Sequence, residues 1–427
     1  MSTRMTTSHY YWIREIARGG MGRVDLIIRS EGAFRRLAAV KRLHAKLRDD
    51  VECRAMFLDE ARIAGMLKHP NIVTVFDVGE DDEGPYLIMD YIDGLSVQAI
   101  TRRSAQDYTP LPLAVVVQII VQAADGLHAA HELTAPDGSV LNLVHRDVSP
   151  HNMIVGYDGI VRVMDFGIAR ALGRTTQTST GVLKGKLAYM SPEQLRFRPA
   201  DRRSDIFALG VVLYEMLTLK RLYSNRDGDG PQRILEEPPP DVGLERDDLP
   251  PALVELVFRM LAKEPTKRPA TAAEVANCLR EILNDLMIVD DEAIELQEYF
   301  RHRFEPETTG HRQEIQSALK RLDEGTLPAW PLTDPALVLA PAVMNAPKRW
   351  LLALGAGLLV TLAVGAGVII GRSPELEPER QVESPSTVAS PAPPAAQTPL
   401  APAAVHVETH AAEPEPATPS DIGESGE

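Results

Sequence analysis

The chain has 427 residues, with 45 Lys+Arg against 60 Asp+Glu and a formal net charge of −15. At roughly 100 to 200 residues per domain it holds one large domain or a few small ones. With 44% hydrophobic and 25% charged residues, it is neither disordered throughout nor a many-pass membrane protein. The acidic balance excludes a dedicated nucleic-acid binder, whose affinity rests on clustered Lys and Arg.

The first twenty residues contain no apolar run, so no cleavable signal peptide is expected. From about Tyr10 to Met89, short aliphatic or β-branched runs (VDLII, LAAVKRL, IVTVFDVG, YLIMD) alternate with turn residues, the pattern of a small, mainly antiparallel sheet. One longer stretch, DDVECRAMFLDEARIAGMLKH, interrupts them as a helix, with Asp49 or Asp50 as its cap. From about Leu111 the texture turns helical (LAVVVQIIVQAADGLHAAHEL, SDIFALGVVLYEMLTL, ALVELVFRMLAK, TAAEVANCLREILNDL). The expected fold class is α+β with two lobes, β-rich then α-rich. Cys53 and Cys278 stand far apart in no metal-binding spacing and read as reduced thiols.

Residues 286 to 350 read as a helical and then Pro-rich spacer. Residues 351 to 371, LLALGAGLLVTLAVGAGVIIG, carry no charge; at about 1.5 Å per residue they are long enough to cross a bilayer core once. Residues 372 to 427 hold 11 prolines and ten acidic against two basic residues, the composition of a disordered tail. Lys348 and Arg349 before the span are balanced by Arg372 and Arg380 after it, so the positive-inside rule does not orient it.

The chemistry lies in ordered spacing. Gly19, Gly20 and Gly22 fall between two strand-like runs, where glycines let backbone N–H groups approach phosphate oxygens; a plain tight hairpin fits them equally. Ala38-Ala39-Val40-Lys41 closes an apolar strand with a lysine, and Glu60 sits on the helical stretch with Phe57, Ala64 and Leu67 at packing spacing. His145-Arg146-Asp147, then Asn152, Asp165-Phe166-Gly167 and Ser191-Pro192-Glu193 follow in order. Phosphoryl transfer requires a carboxylate to accept and orient a hydroxyl, oxygen ligands for Mg²⁺, and a cation on the nucleotide. Asp147, Asn152 with Asp165, and Lys41 supply those parts.

On these motifs, together with HPNIV at 69–73, YMSPEQ at 189–194 and KRP at 267–269, the chain resembles the bacterial eukaryotic-like (Hanks-type) serine/threonine protein kinases with a single transmembrane helix. The resemblance covers about residues 10–285. It implies a two-lobed protein kinase fold, ATP with Mg²⁺ (or Mn²⁺), and protein substrates bearing Ser/Thr hydroxyls. By the same resemblance Lys41 contacts the α/β-phosphates and pairs with Glu60. The glycine loop (Ala17, Gly19, Gly20, Gly22) covers the phosphates, and Ile16, Val24 and Ala39 enclose the adenine. Met89 is the gatekeeper and Asp90, Tyr91 and Ile92 are the hinge. Asp147 accepts the hydroxyl proton, Asn152 and Asp165 hold the metal, and Glu193 pairs with Arg268. Thr178 and Thr180 resemble autophosphorylation sites on the activation loop. Because ATP is cytosolic, the kinase domain is expected inside an inner (cell) membrane and the tail outside it. Ala356, Ala363 and Gly367 on one helix face would allow the chain to meet a second copy and phosphorylate itself in trans.

Three positions depart from the family pattern. Ala17 replaces the first loop glycine, which requires φ below zero there. Ser149 replaces a lysine that neutralises the γ-phosphate, and Lys186 replaces a threonine. Positive charge acts by where it ends up rather than by which segment carries it, so Lys186 is expected to compensate for Ser149 as a catalytic residue. An ATP-binding pseudokinase scaffold is the alternative reading.

Overall fold

The computed structural model describes residues 9–19, 22–166, 187–223, 229–289 and 295–332. Gly20, Lys186, the Thr/Ser cluster at 175–180, the apolar span at 351–371 and the tail therefore lie outside the described residues.

The first lobe is built on a five-stranded antiparallel sheet of order β1-β2-β3-β5-β4, formed by β1 (His9–Arg18), β2 (Gly22–Glu31), β3 (Phe34–Leu43), β4 (Val75–Asp81) and β5 (Gly84–Asp90). A short helix α1 (Ala45–Arg48) leads into α2 (Val51–Met66). Of the two expected caps, Asp50 takes the role, its carboxylate accepting from the amides of Glu52 and Cys53 at 2.9 and 3.0 Å. Cys53, Met56, Phe57, Glu60, Ala61 and Ala64 face inward; Phe57, Ala61 and Ala64 pack α2 on the sheet, and Cys53 and Met56 pack on Leu47 of α1.

Side chains of a strand alternate between faces, and β3 uses both. Ala39 and Leu43 join Phe57, Val75 and Met89 in the core beneath the sheet, while Ala38 and Val40 join Tyr10, Ile27, Tyr86 and Ile88 above it. An antiparallel sheet commonly leaves one face to water; here the upper face is buried as well.

The second lobe begins at β6 (Gly94–Ser96), which pairs with β7 (Met153–Gly156), itself paired with β8 (Val161–Val163), in a small sheet. Its helices are α3 (Val97–Gln106), α4 (Leu113–His131), α5 (Pro192–Leu195), α6 (Arg202–Thr218), α7 (Gly230–Glu236), α8 (Val242–Glu245), α9 (Pro251–Met260), α10 (Ala272–Val289) and α11 (Leu296–Asp323). α6 is buried along nearly its whole length, as an axial core helix must be. α4 is long and apolar enough to cross a membrane by composition alone, but most of it lies inside this core. The chain passes between the lobes from β5 to β6, and the loop between α2 and β4 docks on the second lobe, where the amide of Val73 donates to Val163 and that of Val163 to Asn71, at 3.0 and 2.9 Å.

Of the stretch read as a spacer, residues 286–289 end α10 and residues 296–323 form α11. α11 buries Leu296, Phe300 and Phe304 in the second-lobe core, and Ala318 and Leu327 pack on Ile28 of the first lobe. A charged-looking sequence thus still carries a packing face.

Candidate active site

The upper half of the cleft gathers most of the residues expected to enclose a nucleotide. Ile16, Val24 and Ile92 pack against a cluster containing Ala39 and Met89. Met164, which the sequence reading missed, packs there too. Ala17 pairs with Val24 inside the β1–β2 ladder and is absent from the positive-φ residues. The amide of Gly19 donates to the carbonyl of Gly22 at 2.9 Å. Gly22 is demanded by contact: a Cβ there would collide with the backbone carbonyl of Arg42. Asp90 ends β5 and its side chain pairs with Arg36, while Tyr91 is partly buried, which raises its phenol pKa.

Lys41 points into the cleft from β3. Its Nζ donates to Glu60 Oε1 at 3.2 Å and to Asp165 Oδ1 at 2.7 Å. Burial disfavours the ammonium, but Asp165 and Glu60 outweigh it and hold the lysine pKa above its ordinary value. Glu60 is pushed up by burial and by the charges of Asp165 and Asp147, against the pull of Lys41. The ion pair thus links α2, β3 and the segment after β8 through one cation.

Below it, the loop between α4 and β7 presents Asp147. Asn152, in a 3-10 turn at Pro150–Asn152, donates through Nδ2 to the Asp147 carbonyl and Oδ2 at 2.8 and 3.1 Å, which fixes the carboxylate. The amide of Met164 donates to the Asn152 carbonyl at 2.9 Å and brings Asp165 alongside. A carboxylate beside an amide oxygen is a hard donor set suited to Mg²⁺. Asn152 spends its Nδ2 on Asp147, which leaves its side-chain oxygen for a cation, so the pair fits the metal. Among the described residues, no group of three or more His, Cys, Asp or Glu side chains forms an all-protein metal cage.

Asp205, which the sequence reading also missed, holds this loop from beneath. It is 1% exposed in the first turn of α6. Its carboxylate accepts from the amides of His145 and Arg146 and from His131 Nε2, each at 2.8 Å. Arg146 sits at φ 63° and Asp165 at φ 58°, left-handed conformations that cost non-glycine residues energy and persist only where neighbours impose them. His145 reinforces the loop: Nδ1 accepts from the Asp147 amide at 3.3 Å and Nε2 donates to the Met164 carbonyl at 3.1 Å. Burial lowers its pKa against the charges of Asp205 and Asp147. Glu193 and Arg268 form a buried two-pronged pair at 2.7 and 2.9 Å. Burial would raise the Glu193 pKa, but hydrogen bonds from Arg268 and Ser204 hold it below the usual carboxylate value.

The protein kinase domain family matches residues 10–280, which is most of the chain. The chain belongs to the protein kinase family. The kinase is 40% identical over 282 residues to the "Tyrosine-protein kinase MasK" of Myxococcus xanthus, covering 65% of this chain and 43% of that protein. It is 36% identical over 287 residues to the "Serine/threonine-protein kinase PknB" of Mycolicibacterium smegmatis, covering 64% and 43%. A solved double mutant of the Mycobacterium tuberculosis PknI kinase domain is 27% identical, with a TM-score of 0.50, over 66% of this chain and 99% of that one. The kinase thus spans less than half the length of these two curated relatives.

Within the kinase, Ser149 is 3% exposed and its hydroxyl has no hydrogen-bond partner among the described residues. It sits two residues from Asp147.

Proposed function

We propose that this kinase transfers the γ-phosphate of ATP to Ser/Thr hydroxyls of proteins, including its own activation loop. The supporting observation is the continuous arrangement of Glu60, Lys41 and Asp165 facing Asp147 and Asn152. The Lys41 ammonium binds the α/β-phosphates and Glu60 keeps it oriented. Asn152 and Asp165 would hold Mg²⁺, which when bound would supply charge neutralisation of the phosphates. Asp147 accepts the proton of the attacking hydroxyl as the phosphoryl group passes to the oxygen and ADP leaves. Lys186, from outside the described residues, supplies the charge that Ser149 lacks. If so, Lys186→Thr lowers kcat and the Ser149→Lys, Lys186→Thr double variant recovers most of the loss; an unchanged kcat in the single variant sinks that compensation.

The apolar run at 351–371 anchors the chain in the cell membrane with the kinase domain cytoplasmic and the tail outside. Self-association through that run brings two copies together for phosphorylation in trans. Nucleic acid is not a partner. A second reading, transfer to tyrosine, is favoured by Ser149 standing where serine/threonine kinases carry a lysine and by the likeness to a protein named a tyrosine kinase. Phosphoamino-acid analysis after incubation with ATP and Mg²⁺ separates the two: phosphoserine and phosphothreonine support the main reading, and phosphotyrosine alone replaces it. A pseudokinase would bind ATP and yield neither.

A further inference from the structure

The segment from 296 to 332 touches both lobes and Asp93 just past the hinge between them. At its start Phe300 and Phe304 lie 4.8 Å apart by ring centres, and Phe300 is 5.4 Å from Tyr157 on the β7–β8 turn. Arg303 grips Asp107 at 2.6 Å. Midway, Arg312 Nε lies 3.3 Å from Asp93, just past the hinge, with its guanidinium over the Tyr157 ring. Farther on, Glu314 pairs with Arg14 at 2.9 Å and Asp323 with Arg35. Gly325, at φ 66°, then lets the chain turn back across the upper face of the first-lobe sheet. There the Trp330 amide donates to the Tyr10 carbonyl at 2.7 Å, and Trp330 and Leu332 cover the apolar surface formed by Val40, Tyr86 and Ile88.

The end of this segment reaches the strand that carries Lys41. Arg42, its neighbour in β3, points to the opposite face, where it is nearly fully buried. Its guanidinium lies 4.9 Å from the Tyr86 ring centre and 5.0 Å from that of Trp330, and Asp81 clamps it at 2.7 and 2.5 Å. A desolvated cation between aromatic rings and a carboxylate is firmly held. We propose that residues 296–332 form a brace that fixes the separation of the two lobes and supports β3 from behind, with Trp330 a positioning residue for Lys41. Opening the cleft for nucleotide exchange then requires the brace to bend or lift, and loosening it weakens ATP binding before it weakens the chemical step.

The inference deepens the kinase reading and rests on it. Its test is steady-state kinetics of the full chain carrying Trp330→Ala or Trp330→Phe, with ATP affinity measured separately by equilibrium dialysis in an Asp147→Asn background. In Trp330→Ala the KM and Kd for ATP are expected to rise about threefold to tenfold, the order expected for losing one buried cation–aromatic contact, while kcat at saturating ATP changes less. Trp330→Phe, which keeps a ring over Arg42, should restore most of the affinity. Unchanged ATP affinity in a folded Trp330→Ala chain overturns the proposal. So does a fall in kcat matched only to the unfolded fraction, with Trp330→Phe no better than Ala. If the parent binds ATP but transfers no phosphate while Trp330→Ala still weakens binding, the kinase reading fails and the brace stands.

Discussion

Replacing Asp205 with Asn would remove one charge and exchange one acceptor oxygen for an NH₂ group. The carboxylate accepts three hydrogen bonds at 2.8 Å, from two backbone amides and from His131, in a site almost closed to solvent. Hydrogen bonds to a charged group contribute about 1.5–3 kcal/mol each, and an unsatisfied buried donor costs about 1–3 kcal/mol. If the new amide oxygen takes the place of Oδ2, the His131 and His145 bonds persist in weakened, neutral form, and the Arg146 amide faces another donor. The sum is a destabilisation of about 3–5 kcal/mol. The φ of 63° at Arg146 then loses the contact that imposes it, and relaxation toward negative φ displaces Asp147. A displacement of this kind costs on the order of a hundredfold in kcat. The KM for ATP should change little, because Lys41 and the upper cleft are not touched. Urea unfolding together with kcat and KM for ATP measures both effects. If Asp205→Asn unfolded within about 1 kcal/mol of the parent and kept its kcat, the reasoning would be refuted, and the buried carboxylate would have no part in holding the loop.

Arg268→Ala strands a buried carboxylate and should cost about 3–5 kcal/mol in chemical denaturation, whereas a loss below about 1 kcal/mol would show that Glu193 finds solvent or another partner. Gly22→Ala forces a methyl group against the Arg42 carbonyl; β2 and β3 must splay, and ATP binding should weaken at least several-fold by calorimetry, an unchanged affinity meaning that the ladder yields at no expense. His145 should remain neutral at about pH 6.5, with an NMR titration midpoint below that ordinary value, since burial lowers its pKa. The folded state then binds fewer protons than the unfolded one, so the His145 contribution to stability is complete above about pH 6.5 and is lost as pH falls toward the lowered midpoint. A midpoint at or above about 6.5 would contradict that burial.

The residues around Lys41, Asp147 and Asp165 were legible because each motif places a charge or amide inside an apolar run, in the order that phosphoryl transfer requires. Glu60 could be found because Phe57, Ala64 and Leu67 mark the buried face of its helix. Asp205 was hidden: in SDIFALG a buried acid and a solvent-facing first-turn acid look the same, and its partners are backbone amides some sixty residues earlier. Met164 was passed over because its neighbour Asp165 carries the chemistry, while its own role depends on which residues pack across the cleft. The brace was missed for a related reason. Leu296, Phe300 and Phe304 recur every four residues, which announces a packing face without naming its partner. The complementary signal lay in LAAV of β3, whose unbroken apolar run on both faces of an antiparallel strand calls for a cover on the upper side.

The most direct measurement is transfer of labelled γ-phosphate from ATP, with Mg²⁺ present, by the purified full chain to itself and to a generic protein substrate, compared with Asp147→Asn. Label on protein in the parent and at least about a hundredfold less in Asp147→Asn is the predicted result, since the variant keeps its ATP site but lacks the carboxylate that accepts the hydroxyl proton. Equal labelling in both, or ATP binding without transfer in the parent, would contradict the account.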